Sequence, residues 1–100
     1  MFIVTYRYNL QPEKSMEYIT LEQKAIQIHL EHGCLGVEIY RDPQNHRKWM
    51  EINKYHDEKH YEEVSAAVEG DPRIEALFKE FLELFEQGKA PQKDTYLRML

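Results

Sequence analysis

The stretch Gly36 to Tyr55, GVEIYRDPQNHRKWMEINKY, reads as a β-hairpin with two unlike faces. Val37 to Arg41 and Lys48 to Asn53 alternate as strands do, and Asp42-Pro43-Gln44-Asn45 carries the turn chemistry between them. Centring the hairpin on that turn sets Ile39 opposite Met50 and Val37 opposite Ile52. Tyr40 then faces Trp49, and Glu38 faces Glu51, on the other side. The first face is expected to be core, the floor under the helices. The second is aromatic and acidic, which suits neither core nor open surface, and what covers it is the functional question.

Working outward, Phe2 to Asn9 is a strand rich in β-branched and aromatic residues, with Phe2, Val4, Tyr6 and Tyr8 on one face and Ile3, Thr5, Arg7 and Asn9 on the other. Pro12 suits the first turn of a helix that runs to about His32 and stops at Gly33. This helix carries two apolar stripes, Met16, Ile19, Ile26 and Leu30 on one side and Tyr18, Leu21, Ala25 and Ile28 roughly opposite. Two stripes point to a second partner, either another helix of the chain or another subunit. After the hairpin, Asp57 is a candidate cap for a helix to about Val68, and Asp71-Pro72 restarts one. Ile74, Leu77, Phe78, Phe81, Leu82 and Phe85 form its apolar stripe, which Gly88 and Pro91 end. Lys93 to Leu100 is a last strand. The order is β-α-β-β-α-β, the ferredoxin-like arrangement: an antiparallel-dominated α+β sheet with helices on one face. The other face is left open and apolar enough to predict a homodimer, sheet against sheet.

One hundred residues fit a single domain spanning 1–100. A net charge of −5 and a pI of about 5.5 offer no basic field for nucleic acid. No apolar run is long enough to span a bilayer. The single cysteine, Cys34, excludes an internal disulfide and fits a reducing, cytoplasmic setting. It follows the helix-ending Gly33, where a small buried residue is expected. The opening MFIVTYRYNL has no basic leader and reads as a first strand.

The opening strand FIVTYRYNL, the helix end HLEHGCLGVEIYRDP and the segment KWMEINKYHDEKHYEEV together resemble the dimeric α+β barrel superfamily, and within it the antibiotic-biosynthesis-monooxygenase-like (ABM) domains. In the last segment a strand ends in a bulky aromatic, Tyr55, followed by a polar capping turn and a helix carrying His60. The resemblance implies a dimeric α+β barrel. It leaves the activity open among cofactor-free oxygenases, haem-degrading enzymes, isomerase-like members and domains without known chemistry. Haem-degrading members resemble one another in an Asn on the first strand and a Trp and a His near the second helix. Asn9 matches the first, but Val64 falls at the Trp and no His lies near Ile74 to Phe78. No haem or other cofactor is therefore expected.

The candidate site on the open face gathers Thr5, Arg7, Asn9, Glu38, Glu51, Tyr40 and Trp49, with Tyr96 and Arg98. In a functional reading Tyr40 and Trp49 stack on a small aromatic or phenolic ligand, with Glu38, Glu51 and Tyr96 beside them. Arg7 or Asn9 holds an oxyanion, and His60 moves protons. The chemistry is activation of an electron-rich phenol or quinol toward dioxygen, in a pocket between the sheet and helices of a dimer. In the competing reading the aromatics and paired charges glue two sheets together, with Arg7 neutralising Glu38 or Glu51, and the protein is a non-catalytic dimeric ligand-binding or stress-associated module. His56 with His60, and His29 with His32, have spacings that can place two imidazoles together, but no third ligand stands at diagnostic spacing and no metal is expected. His46 falls in the hairpin turn. The run Glu58, Glu62, Glu63 and Glu69, and the series Glu80, Glu83 and Glu86, interspersed with Lys59, Lys79 and Lys89, read as solvated helix faces.

Overall fold

The computed structural model describes residues 1–86 and 90–100; Gly88 and Lys89 lie outside the described residues. The elements are β1 (Phe2–Asn9), a 3-10 turn (Pro12–Lys14), α1 (Ser15–Glu31), β2 (Gly36–Arg41), β3 (Lys48–Tyr55), α2 (Glu58–Glu69), α3 (Pro72–Leu82) and β4 (Gln92–Leu97). The strands form one antiparallel sheet in the order β2-β3-β1-β4, with the helices on one face. This is the ferredoxin-like α+β architecture.

The punctuation is local chemistry. Gly33 ends α1 at φ 105, a left-handed conformation that costs a glycine little because it has no Cβ. The Asp57 carboxylate accepts from the His60 backbone N–H at 2.7 Å and starts α2. Asp71 accepts from the Arg73 N–H at 3.0 Å, with Pro72 at the first position of α3. The Cys34 thiol is buried at the α1–β2 junction, 3.4 Å from the Gly36 carbonyl.

The hairpin register differs from the one expected. Val37 pairs with Asn53, Glu38 with Ile52, Ile39 with Glu51, Tyr40 with Met50 and Arg41 with Trp49. The loop explains the shift. Asp42 Oδ1 accepts from the Gln44 and Asn45 N–H groups, both at 2.8 Å. Asn45 then makes a second turn of its own, its Oδ1 accepting from Arg47 N at 3.1 Å and its carbonyl from Lys48 N at 3.1 Å. This extra turn takes Lys48 into the loop on its N–H side and moves the pairing by one residue. Because side chains alternate with period two, that slip exchanges the faces of β3 relative to β2.

The helix-facing side of the sheet is therefore Phe2, Val4, Tyr6 and Tyr8 of β1, Val37 and Ile39 of β2, and Trp49, Glu51, Asn53 and Tyr55 of β3. Met50 and Ile52, expected beneath the helices, lie on the open face with Glu38 and Tyr40. Two apolar clusters hold the layers together. One packs Tyr8, Leu10, Tyr18, Trp49, Leu77 and Phe81 under α1 and α3, and the other packs Val4, Cys34, Tyr55, Val64 and Val68 under α2. Burying such side chains contributes roughly 2 kcal/mol each. Only one face of α1 is core: Tyr18, Glu22, Ala25 and Ile28 are buried, whereas Met16 is 77 % exposed.

Candidate active site

The buried face of α1 and the buried face of β3 each break their apolar pattern with polar residues. On α1, Glu22 stands one turn after Tyr18 and just before Ala25 in an otherwise apolar stripe. On β3, Glu51 and Asn53 follow Trp49 at period two. Packing α1 across the sheet brings Glu22 within hydrogen-bonding reach of Glu51, and Glu51 within reach of Asn53. Burial, then the neighbouring Glu51, pushes the Glu22 carboxyl up to about 9. Burial also raises Glu51. Two carboxyls so placed hold at least one proton between them, since two adjacent buried anions repel at low dielectric.

Space opens beside this pair. A cavity of about 140 Å³ is lined by Glu22, His29, Glu51, Asn53, Ile74 and Phe78, with other apolar groups. A second, of about 260 Å³, shares Glu22, His29, Glu51, Asn53, Phe78 and Phe81, and adds Tyr6, Tyr8, Tyr18, Phe85 and Pro91. The two form one aromatic-walled recess between the sheet, α1 and α3. His29 donates from Nδ1 to the Ala25 carbonyl at 2.8 Å, which fixes its ring against α1. The Tyr8 and Tyr18 hydroxyls hydrogen-bond each other, and burial raises both above the ordinary phenol range. Asn53 is 3 % exposed, and its Oδ1 is buried without a hydrogen-bond partner.

The expected site residues are divided between two places. Glu51 lines the recess. Trp49 lies on the same helix-facing side but is core, 6 % exposed, with its ring 5.1 Å from that of Tyr18 and its indole N–H unpartnered. Their expected placement on the open face is corrected by the register. Arg7, Asn9, Glu38, Tyr40 and Tyr96 share the open face by alternation. There Glu38 pairs with Lys54 and accepts from the Tyr40 hydroxyl, and Arg7 and Tyr40 border a depression of about 290 Å³ near the hairpin turn. His60 is at neither place. Its Nδ1 accepts from the His56 N–H at 2.9 Å, and its ring lies edge-on to Tyr55, so it completes the cap of α2. Among the described residues no group of three His, Cys, Asp or Glu is placed to hold a metal ion. Likewise, no helix is long and apolar enough to cross a membrane.

Sequence reasoning missed Glu22, Asn53, Tyr8 and Tyr18. The signal for Glu22 was available: an acidic residue inside the apolar stripe of a helix. Asn53 became visible only with the register.

A ferredoxin-like sheet with a polar cluster walled in by aromatics beneath its helices defines the class. The family model for antibiotic biosynthesis monooxygenase matches residues 1–69, so the chain belongs to the ABM family. The matched segment contains Glu22, His29, Glu51 and Asn53; α3 and β4 lie beyond it. Among solved structures, a conserved protein from Methanosarcina mazei is similar with a TM-score of 0.75 and 19% identity, over 95% of this chain and 89% of that one. SnoaB, a cofactor-independent oxygenase from Streptomyces nogalater, gives 0.77 at 10% identity, over 99% and 93%. An uncharacterized NIPSNAP domain protein from Burkholderia xenovorans gives 0.78 at 14% identity, over 98% and 94%. At these identities the likeness is one of fold. A search of curated proteins gives no match.

Proposed function

We propose that this chain is an ABM-type, cofactor-independent monooxygenase-like enzyme acting on a small aromatic or phenolic molecule bound in the recess between the sheet and the helices. The observation that carries the reading is the Glu22–Glu51 carboxyl pair facing an aromatic-walled cavity. A phenol laid against Tyr6, Tyr8, Phe78, Phe81 and Phe85 would bury its ring and present its hydroxyl to the pair. A carboxylate whose proton affinity is raised by burial is a better base for a phenol than one in water. The resulting phenolate is electron-rich, and the ring itself supplies the electrons that dioxygen takes up. The apolar walls keep water from quenching the anion. Family membership and the fold shared with SnoaB support the same class.

The test is oxygen uptake with a panel of phenols and quinols. Turnover is expected from the native chain, with a loss of at least tenfold in Glu51→Gln, a range typical of a removed general base. Turnover undiminished in that variant would contradict the role. The second reading, a ligand-binding module without chemistry, is favoured by one observation: Tyr8 with Tyr18, and Glu22 with Glu51, already satisfy each other. Binding of phenols without oxygen uptake would select it.

The open face supports a homodimer. It carries half-buried Ile3, Met50 and Ile52 beside exposed Tyr40 and Tyr96, on a side no helix covers. Sedimentation equilibrium is expected to give a mass twice the 12.1 kDa of one chain. A monomer at tens of micromolar would refute this arrangement.

A further inference from the structure

The tyrosine hydroxyls lining the recess are engaged, Tyr8 with Tyr18, Tyr18 with Glu22 and Tyr6 with Tyr61, so the polar groups left to a ligand are mostly acceptors. Glu22 and Glu51 bring four carboxyl oxygens and share their protons internally. The Asn53 side chain reaches toward Glu51, and its Oδ1 has no hydrogen-bond partner although the residue is 3 % exposed. A buried carbonyl oxygen without a partner carries a desolvation penalty, so a ligand that donates to it recovers that penalty. The ring N–H of His29 at Nδ1 is held by the Ala25 carbonyl, so a neutral His29 offers only its Nε2 acceptor. Among the described residues, neither Lys nor Arg lines either part of the recess.

We propose that the recess selects aromatic ligands bearing two neighbouring hydroxyl donors, one taken by the Glu22–Glu51 pair and the other by Asn53 Oδ1, and that it rejects aromatic anions and acceptor-only rings. Asn53 is then the specificity-determining residue. This rests on the recess being the ligand site, as in the function proposed above, but does not require that the bound molecule react. Three features converge. Asn53 and Glu51 share one face of β3 two residues apart and their side chains meet, so their acceptors suit neighbouring rather than distant hydroxyls. A benzoate-like carboxylate would meet two carboxyls and, among the described residues, no cation. A ring whose oxygens are methylated or oxidised to carbonyls would leave Asn53 Oδ1 unpaired and add unpaired acceptors of its own. An oxidised dicarbonyl product would accordingly be held less firmly than its dihydroxy precursor.

Isothermal titration of the full chain with catechol, 1,2-dimethoxybenzene and benzoate separates the outcomes. Catechol is expected to bind at least about tenfold more tightly than either of the others, the worth of one or two hydrogen bonds at a buried site. In Asn53→Leu the advantage of catechol over phenol is expected to fall to less than threefold. If that variant does not fold, Glu22→Gln provides the second reading: one carboxyl becomes an amide with donors of its own, and the discrimination against benzoate is expected to shrink. Equal binding of catechol and 1,2-dimethoxybenzene, or benzoate binding as tightly as catechol, would overturn the proposal, as would a full catechol advantage surviving in a folded Asn53→Leu. Selective catechol binding without oxygen uptake would sink the oxygenase reading and leave this one standing. Oxygen uptake without the selectivity would do the reverse.

Discussion

Glu22 stands on α1 where an aliphatic residue would extend the buried stripe of Tyr18, Ala25 and Ile28. Placing a carboxyl there, against a second carboxyl from β3, costs stability unless the pair keeps at least one proton. The cost has a pH signature. Burial raises both groups above the ordinary carboxylate value, Glu22 to about 9, so the folded chain holds protons that the unfolded chain has released. Stability therefore falls as pH rises from about 4.5 toward 9, by up to about 1.4 kcal/mol per pH unit for each extra proton held. On the acid side Asp71 works in the opposite sense. Arg73 first, then His32 at 2.9 Å, hold its carboxyl below the usual range, so its contribution is present above the ordinary value and lost as pH falls through the lowered one. Thermal melts from pH 5 to pH 9 are expected to show a declining Tm, and Glu51→Gln is expected to flatten the decline. A native Tm that is level or rising over that range would show that the pair is not held protonated.

Element order, helix starts and helix stops were legible in the sequence because each depends on a few neighbouring residues. Asp57, Asp71-Pro72 and Gly33 act within one turn, and the structure uses all three as read. The pairing of β2 with β3 was not legible to the residue. It depends on whether Asn45 makes its own turn after Asp42, and the strand pattern does not decide this, because Val37, Ile39, Met50 and Ile52 look like one apolar face at the wrong register. That single residue of slip moves Glu51 and Asn53 from the open face to the recess and turns Trp49 into core. His60 illustrates a different limit. Its spacing from Asp57 fits a pocket-mouth histidine and a capping residue equally well, and only the three-dimensional path of α2 assigns its ring to the His56 N–H.

At the scale of the whole molecule, the sheet has two candidate binding faces with different chemistry. The open face carries the exposed Tyr40 with half-buried Glu38 and Lys54, together with Arg7 and Tyr96, and suits a second subunit. The covered face carries the carboxyl pair, Glu22 buried and Glu51 half-buried, and suits a small ligand. α3 closes one side of the recess with Phe78 and Phe81; Phe78 lines both parts of it and is 57 % exposed, so the cavity wall is also part of the surface. Covering the open face would leave that side of the recess untouched, and the two functions need not compete. In the proposed function, ligands enter beneath the helices. A two-dimensional NMR titration of the full chain with catechol distinguishes this entry from binding on the open face. The expected result is a set of saturable shifts confined to α1, β3 and α3, including Glu22, Glu51, Asn53 and Phe78. Saturable shifts confined instead to Arg7, Tyr40 and Tyr96, with the recess residues unmoved, would contradict it.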